Sequence, residues 1–243
     1  MSHGPAVSPA VRPRRVVTDR RGGRSASPYD SFNLADHVGD DPAAVAANRQ
    51  RLARELGVPE QSLVWMTQVH GTGVAVIEDA GENPVADVDA LVTATPGLVL
   101  CVLAADCVPV LLADPVAGVV AAVHAGREGV RRGVVPATLA AMTRLGARPG
   151  DVEALLGPAV CGLDYEVPAA MQAEVARVAP ASAVRTRTGM PGLDLRAGIA
   201  EVLRGAGVGH VVHDPRCTVE DRRLFSHRRD GVTGRQAGVV WLG

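Results

Sequence analysis

Lysine is absent from this 243-residue sequence, in which all 25 residues counted as lysine or arginine are arginines. Catalysis through a lysine Schiff base and a phosphate-binding loop built on lysine are therefore excluded. Aromatic side chains are also scarce, with two each of Phe, Trp and Tyr. The core has to be built from Val, Leu and Ala, and a site that stacks many nucleic-acid bases on aromatic rings is not expected.

The sequence also has no long apolar run, no signal-like N-terminus and no pair of cysteines spaced CxxC. A membrane helix needs roughly 18 apolar residues, so we expect a cytoplasmic protein that does not associate with membranes, with its four cysteines reduced. The net charge of −1 gives no electrostatic reason for a nucleic-acid partner. We expect a flexible N-terminus over residues 1–13, one domain over residues 14–243, and a monomer.

The hydrophobic pattern predicts both helices and short strands. Asp41 and Pro42 are typical of a helix start, and Gly57 of its end. Further helices are predicted over residues 128–145, 168–178 and 193–205. Strands are predicted at 16–17, 63–69, 74–77, 90–93, 98–104, 108–112, 118–123, 211–212 and 239–242. Several strands follow one another directly, which favours a single α/β domain with mixed or antiparallel pairing over strict alternation.

A β-hairpin is predicted around the turn Asp114-Pro115-Val116-Ala117-Gly118. The numbers of paired residues should then sum to about 231 or 232, twice the centre of the turn. Cys107 and His124 meet this condition, so the pattern predicts that they are cross-strand neighbours at the open end of the hairpin.

A cysteine beside a histidine has two chemical uses. The imidazole can deprotonate the thiol to make a nucleophile, or both side chains can bind one metal ion, most often zinc. His70, which ends a predicted strand just before Gly71, is a candidate third ligand. A third interpretation is a small buried cysteine beside a histidine with no chemical role.

The sequence also resembles a known family, and the resemblance rests on several motifs that occur in order. These are WMTQVHG at 65–71, DALVT at 89–93, ADCVP at 105–109, HAG at 124–126, SHRRDG at 226–231 and TGR at 233–235. The chain is similar over residues 14–243 to the YfiH/YlmD family, once labelled multicopper polyphenol oxidase or laccase domain.

The resemblance implies a single domain of four layers, α/β/β/α, with mixed sheets, and a zinc site formed by His70, Cys107 and His124. It implies a purine nucleoside phosphorylase acting with phosphate on adenosine, inosine, guanosine or methylthioadenosine, together with adenosine deaminase activity. Other members of the family resemble copper phenol oxidases, or are implicated in editing peptidoglycan precursors. Seven scattered histidines without an HxH motif do not favour the copper enzyme.

One motif departs from the family pattern. After His124-Ala125-Gly126, the family commonly continues with Trp-Arg-Gly, whereas this sequence has Arg127-Glu128-Gly129. The tryptophan face for a purine base would be lost, although a guanidinium can also stack on a base. If the family's arginine holds phosphate, Arg127 has to take over that role.

A second group of candidate residues is rich in arginine, which suits the recognition of phosphate. Its members are Arg127, Ser226, His227, Arg228, Arg229 and Arg235. A solvated basic turn is an equally good interpretation of the run at 226–231. Asp89 and Asp106 can move a proton or orient a metal-binding histidine, and Asp106 joins Cys107 and His124 as a catalytic candidate.

The Cys107–His124 pattern together with the resemblance implies a zinc enzyme, with copper as the other metal considered, that acts on purine nucleosides and phosphate. The alternatives are a cysteine hydrolase with Cys107 as nucleophile and His124 as base, acting on peptidoglycan fragments, a copper polyphenol oxidase, and a partner-binding domain without catalysis.

Overall fold

The structure is a computed structural model that describes residues 12–81 and 83–243. Its strands are β1 (Pro13–Val17), β2 (Leu63–Val64), β3 (Val74–Val76), β4 (Ala90–Thr93), β5 (Val99–Ala104), β6 (Val108–Asp114), β7 (Val119–Ala125), β8 (Glu153–Leu156), β9 (Ala183–Arg185), β10 (Pro191–Leu193), β11 (His210–His213) and β12 (Gln236–Leu242). Its helices are α1 (Pro42–Leu56), α2 (Arg127–Arg132), α3 (Val134–Arg144), α4 (Ala169–Ala176), α5 (Leu195–Gly205) and α6 (His227–Asp230).

Two mixed sheets form the body of the domain, as the sequence predicted. The larger has the order β11-β8-β6-β7-β4-β3, and the smaller has the order β1-β12-β5-β2. In the larger sheet, β6 and β7 are antiparallel, whereas the outer pairs β11-β8 and β3-β4 are parallel. A third sheet contains only β9 and β10. The sheets are thus neither purely parallel nor purely antiparallel.

The two large sheets face each other across an apolar interior. Leu100 of the smaller sheet and Leu111 of the larger belong to one buried cluster between the sheets. Cys101, the next residue along β5, points to the opposite face of its sheet and packs toward α1. Leu112, the next residue along β6, packs toward α3 and α5. Alternate residues of each strand therefore enter different clusters, since side chains alternate between the two faces of a sheet. Apolar residues thus fill the space between the two sheets and the space between each sheet and its helices.

The first helix forms where its end signals predict. The Asp41 carboxylate accepts a hydrogen bond from the backbone N–H of Ala43, and Gly57 ends the helix with a φ of 70°. The predicted helix over 128–145 is two helices instead, because Gly133 takes a φ of 91° between α2 and α3. Strand β2 is much shorter than predicted, and β8 was not predicted at all.

The predicted register of the β6-β7 hairpin is wrong. Pro109, not Cys107, is the cross-strand partner of His124. The four residues 115–118 form the turn, closed by two bonds from Val116 and Ala117 N–H to the Asp114 carboxylate. This moves the centre of the turn toward the C-terminus, so continuing the ladder brings Cys107 opposite Gly126.

The flexible N-terminus predicted over residues 1–13 lies mostly outside the described residues, which begin at residue 12. Pro13 is the first residue of β1, which pairs with β12. Among the described residues, no helix combines the length and apolarity needed to cross a membrane.

Candidate active site

Three side chains with nitrogen or sulfur donors meet at one end of the β6-β7 hairpin. They are His70, Cys107 and His124, and their ligand atoms all lie within 4.8 Å of one another. The Cys107 Sγ is 3.8 Å from the His70 Nε2, and the two imidazole rings meet edge to face with centroids 4.7 Å apart. The trio selected from the sequence is therefore brought together, although its cysteine and histidine are not cross-strand partners.

The backbone around these residues is shaped to let them approach. His70 has a φ of 57° in the loop between β2 and β3, and Asp106, just before Cys107, has a φ of 96°. Gly126 leaves room for the site, since a Cβ placed there would lie 2.9 Å from the His70 Cδ2 and 3.0 Å from the Cys107 Sγ. Two left-handed residues and one glycine thus turn the ligands toward a common point.

Asp89 orients two of the three side chains. Its fully buried carboxylate lies 2.8 Å from the His124 Nδ1, and it accepts hydrogen bonds from the backbone N–H groups of His70 and Gly71. Burial raises the pKa of Asp89, but the hydrogen bonds from His124 and from the backbone outweigh burial and hold it below its ordinary value. The carboxylate stays ionised and accepts the Nδ1–H of His124, so that Nε2 is the ring nitrogen left to face Cys107.

The thiol and the imidazole stabilise opposite charges on each other. Burial raises the pKa of Cys107, yet the positive charge of His124 and bonds to both histidines outweigh it and lower the pKa to about 6. Burial lowers the pKa of His124, while Cys107 and Asp89 raise it to about 9. The site therefore favours a thiolate, which is the form of cysteine that binds metals and attacks electrophiles.

A cavity of about 370 Å³ opens directly onto the three side chains. Its walls carry four of the cationic candidates predicted from the sequence, Arg127, His227, Arg228 and Arg235. Burial holds the pKa of the Arg235 guanidinium below its ordinary value, and the negative charges of Cys107 and Asp106 offset only part of that effect. A cavity that combines two imidazoles and a thiol with several guanidiniums suits an anionic substrate or a reaction that uses phosphate.

Tyr165 supplies the aromatic surface of this cavity. The guanidinium carbon of Arg228 lies 4.8 Å from the centroid of the Tyr165 ring, and both side chains line the cavity. Tyr165 was not predicted as a site residue from the sequence. His37 and Gln68 also line the cavity and were not predicted as site residues.

Asp106 and Ser226 hold the backbone of the segment that carries Arg228 and Arg229. The Asp106 carboxylate accepts hydrogen bonds from the hydroxyls of Thr218 and Ser226 and from the backbone N–H of Arg228, at 2.6–2.7 Å. Ser226 is fully buried and accepts a hydrogen bond from the Arg229 N–H at the start of α6. Both residues thus connect the loop before β6 to the segment that carries Arg228.

Arg229 is not placed as a phosphate ligand, which corrects the expectation from the sequence. Its guanidinium donates to the backbone carbonyls of Thr218 and Leu224 and pairs with Asp230, with the side chain only 9% exposed. It does not line the cavity described above. Neighbouring residues of one short helix point in different directions, so Arg228 faces the cavity while Arg229 holds the fold together.

The fold and the site define a class of protein, a mixed α/β domain with a His–Cys–His group at the base of a cleft walled by arginines. The chain matches the model of the family described as multi-copper polyphenol oxidoreductase laccase over residues 14–243. It belongs to that family. It is 57% identical over 242 residues to a purine nucleoside phosphorylase of Mycobacterium bovis, covering 100% of this chain and 97% of the relative.

Solved structures support the same assignment. The protein NMB0706 of Neisseria meningitidis superposes with a TM-score of 0.86 and 37% identity, covering 97% of this chain and 96% of that one. YlmD from Geobacillus stearothermophilus superposes with a TM-score of 0.88 and 33% identity, covering 95% and 92% of the two chains. The resemblance to the YfiH/YlmD family inferred from the motifs is confirmed.

Proposed function

We propose that this protein is a zinc-dependent purine nucleoside phosphorylase that also deaminates adenosine at the same site. The observation that carries the proposal is that one cavity joins the His–Cys–His group to Arg127, Arg228 and Arg235. The 57% identity to an enzyme named purine nucleoside phosphorylase over essentially the whole chain supports it.

The donor set fits zinc. Two imidazole nitrogens and one thiolate are borderline-to-soft ligands, and three protein ligands leave a position open for water or substrate. The bond between Asp89 and the His124 Nδ1 is the outer-shell contact that metal-binding histidines usually make. Zinc bound by His70, Cys107 and His124 would lower the pKa of a water ligand to about 7, which is the chemistry that deamination requires.

Phosphorolysis places different demands on the chain. A phosphate oxygen bonds to C1′ of the ribose while the bond from C1′ to the purine nitrogen breaks, and the proton that hydrogen phosphate gives up ends on the departing purine. The guanidiniums of Arg127, Arg228 and Arg235 can hold the phosphate with charge-assisted hydrogen bonds and keep it in line with C1′. Tyr165 offers an aromatic ring for the purine in place of the family's tryptophan.

The test is to incubate zinc-loaded protein with adenosine, with and without phosphate, and to resolve adenine from inosine. We expect adenine and ribose 1-phosphate only when phosphate is present, and inosine with or without it. Deamination consumes water and releases ammonia, so it needs no phosphate. If neither adenine nor inosine forms from protein that carries zinc, the proposal is wrong.

Three arginine variants separate phosphate binding from fold. Arg228→Ala should lower phosphorolysis about 10- to 150-fold, because a charge-assisted contact is worth roughly 1.5–3 kcal/mol, and should leave inosine formation less affected. Arg222→Ala removes an exposed arginine outside the cavity and serves as the matched control. Arg229→Ala should lower the midpoint of urea denaturation, because it leaves several carbonyls without their donor. Equal loss of phosphorolysis in the Arg228 and Arg222 variants would contradict the role given to Arg228.

A second candidate function is a cysteine hydrolase, and one arrangement favours it. Asp89, His124 and Cys107 lie in the order of an orienting acid, a base and a nucleophile. Metal content separates the two readings, since a metal-bound thiolate is a poor nucleophile. Metal-free protein that cleaves a peptide-bearing sugar and is inactivated by alkylation of Cys107 would establish the hydrolase. Bound copper with oxidation of a phenol would instead establish the oxidase for which the family is named.

A further inference from the structure

A second cluster of potential ligands lies behind the wall of the active-site cavity. It consists of Cys161, Asp164, Cys217 and Glu220, whose ligand atoms all lie within 4.8 Å of one another. None of these residues belongs to the His–Cys–His group. The cluster joins two distant segments of the chain, since Ala159 forms an isolated parallel bridge with Cys217.

Local structure turns the donors toward one another. The backbone N–H of Cys161 lies 3.3 Å from the Cys217 Sγ, and the Asp164 N–H donates to the Cys161 carbonyl in a tight turn. That turn brings the Asp164 Oδ2 within 3.1 Å of the Cys161 Sγ and 3.4 Å of the Cys217 Sγ. One carboxylate oxygen thus faces two thiol sulfurs.

We propose that this cluster is a second metal site, which binds zinc through Cys161, Cys217 and Asp164 with Glu220 as the fourth ligand. With Zn–S and Zn–O bonds of about 2.3 and 2.0 Å, a tetrahedral site separates its sulfur and oxygen ligands by about 3.5 Å. The two sulfur–oxygen distances in the cluster are close to that separation.

Burial and charge suit a bound cation. Cys217 is buried and the Asp164 side chain is 15% exposed, whereas Glu220 is 52% exposed and gives the site an opening to solvent. Arg187 donates to the other Asp164 oxygen, Oδ1, at 3.0 Å and pairs with Glu220. Two thiolates and two carboxylates carry four negative charges, of which zinc neutralises two and Arg187 a third.

The position of the cluster gives the metal a structural role. Val160 and Tyr165, which adjoin Cys161 and Asp164, line the catalytic cavity, and Thr218, which follows Cys217, donates to the Asp106 carboxylate. A metal there would tie together the two segments that carry Tyr165 and support Asp106. It would hold the wall of the cavity without touching the substrate.

The experiment measures zinc and Co²⁺ binding by the reduced full-length chain and needs no activity. The parent should bind two equivalents and Cys107→Ser about one, with a thiolate-to-cobalt absorption band that persists in Cys107→Ser. In the Cys107→Ser background, Cys161→Ser should reduce that band by about half or more, because one of the two thiolates is lost, and the near-isosteric Asp164→Asn should weaken Co²⁺ binding about tenfold or more. Cys101→Ala removes a thiol outside both clusters and is the matched control.

The outcomes distinguish this site from the catalytic one. Asp164→Asn in the otherwise unchanged chain should bind one of the two metal equivalents about tenfold or more weakly and keep the metal of the His–Cys–His group unchanged. The proposal is overturned if folded Cys107→Ser protein, checked by circular dichroism, binds neither metal. It is also overturned if Cys161→Ser and Asp164→Asn bind as much metal as Cys101→Ala. Either result leaves the proposed phosphorylase activity untouched.

Discussion

At the scale of single residues, Asp89 links two of the three residues of the candidate site. Asp89 precedes β4, and its backbone carbonyl accepts the His124 N–H while its carboxylate accepts from the imidazole and the His70 loop. One buried side chain thus holds the His124 imidazole and the backbone of the His70 loop together. Arg228 and Arg229 are adjacent residues of one type with different surroundings. Arg228 lines the cavity, whereas the guanidinium of Arg229 donates to backbone carbonyls.

Asp89→Asn should weaken zinc binding about 10- to 100-fold, because the amide cannot hold the His124 imidazole as an anionic acceptor does. Competition with a chromophoric chelator would measure the change. Asp79→Asn, at an exposed position whose carboxylate bonds only to the Gly81 N–H among the described residues, is the control. Unchanged zinc affinity in Asp89→Asn would show that the contact does not tune the site.

At the scale of elements, the β6-β7 hairpin and the start of α2 form one side of the site. Gly126 follows the last residue of β7, lies next to the Cys107 side chain and is also the residue before α2. Its φ of −77° is open to any residue, so glycine is needed there for space rather than for conformation. The bare backbone lets the thiol and His70 approach each other.

Gly126→Ala should therefore disturb the ligands while leaving the backbone unstrained. The new methyl would lie about 3 Å from the His70 ring and the Cys107 Sγ, so at least one ligand has to move. We expect clear loss of zinc with little change in the urea midpoint. Gly150→Ala, where a Cβ meets nothing within 4 Å, is the matched control. Full zinc occupancy in both variants would refute the crowding argument.

At the scale of the whole molecule, the two sheets share the interior that holds the site in place. Leu111 on β6 and Val240 on β12 belong to the cluster between the sheets, and both are fully buried. Gly238 of β12 allows close approach, since a Cβ there would lie 3.0 Å from the Pro109 Cβ. Pro109 is the cross-strand partner of His124, so the packing of the sheets reaches the site directly.

Leu111→Ala should cost about 2–5 kcal/mol of the free energy of unfolding, because it leaves a cavity between two close-packed sheets. Urea denaturation followed by fluorescence and by circular dichroism should give coincident single transitions, since both sheets border the same cluster. Leu163→Ala, at a position 49% exposed, should change stability much less. Two separate transitions in the parent would contradict the shared interior.

Local patterns in the sequence determined a large part of this protein. The capped helix α1 and the β6-β7 hairpin form where they were predicted, and His70, Cys107 and His124 lie close together as expected. Each depends on residue types at short spacing, or on motifs that carry a family resemblance across the whole chain. The predicted hairpin register was wrong because the centre of the turn lies slightly closer to the C-terminus than expected. The position of the turn depends on how the Asp114 carboxylate bonds to the turn residues, which composition does not specify.

Only the tertiary structure decided which polar side chains meet. Asp89 reaches His124, and the cluster of Cys161 with Cys217 forms, through contacts between residues far apart in the chain. Arg228 and Arg229 have the same chemistry in the sequence. Arg229 is kept out of the cavity because its guanidinium donates to the backbone carbonyls of Thr218 and Leu224. Such choices follow from the relative placement of segments, because hydrogen bonding and burial depend on distance in space rather than along the chain.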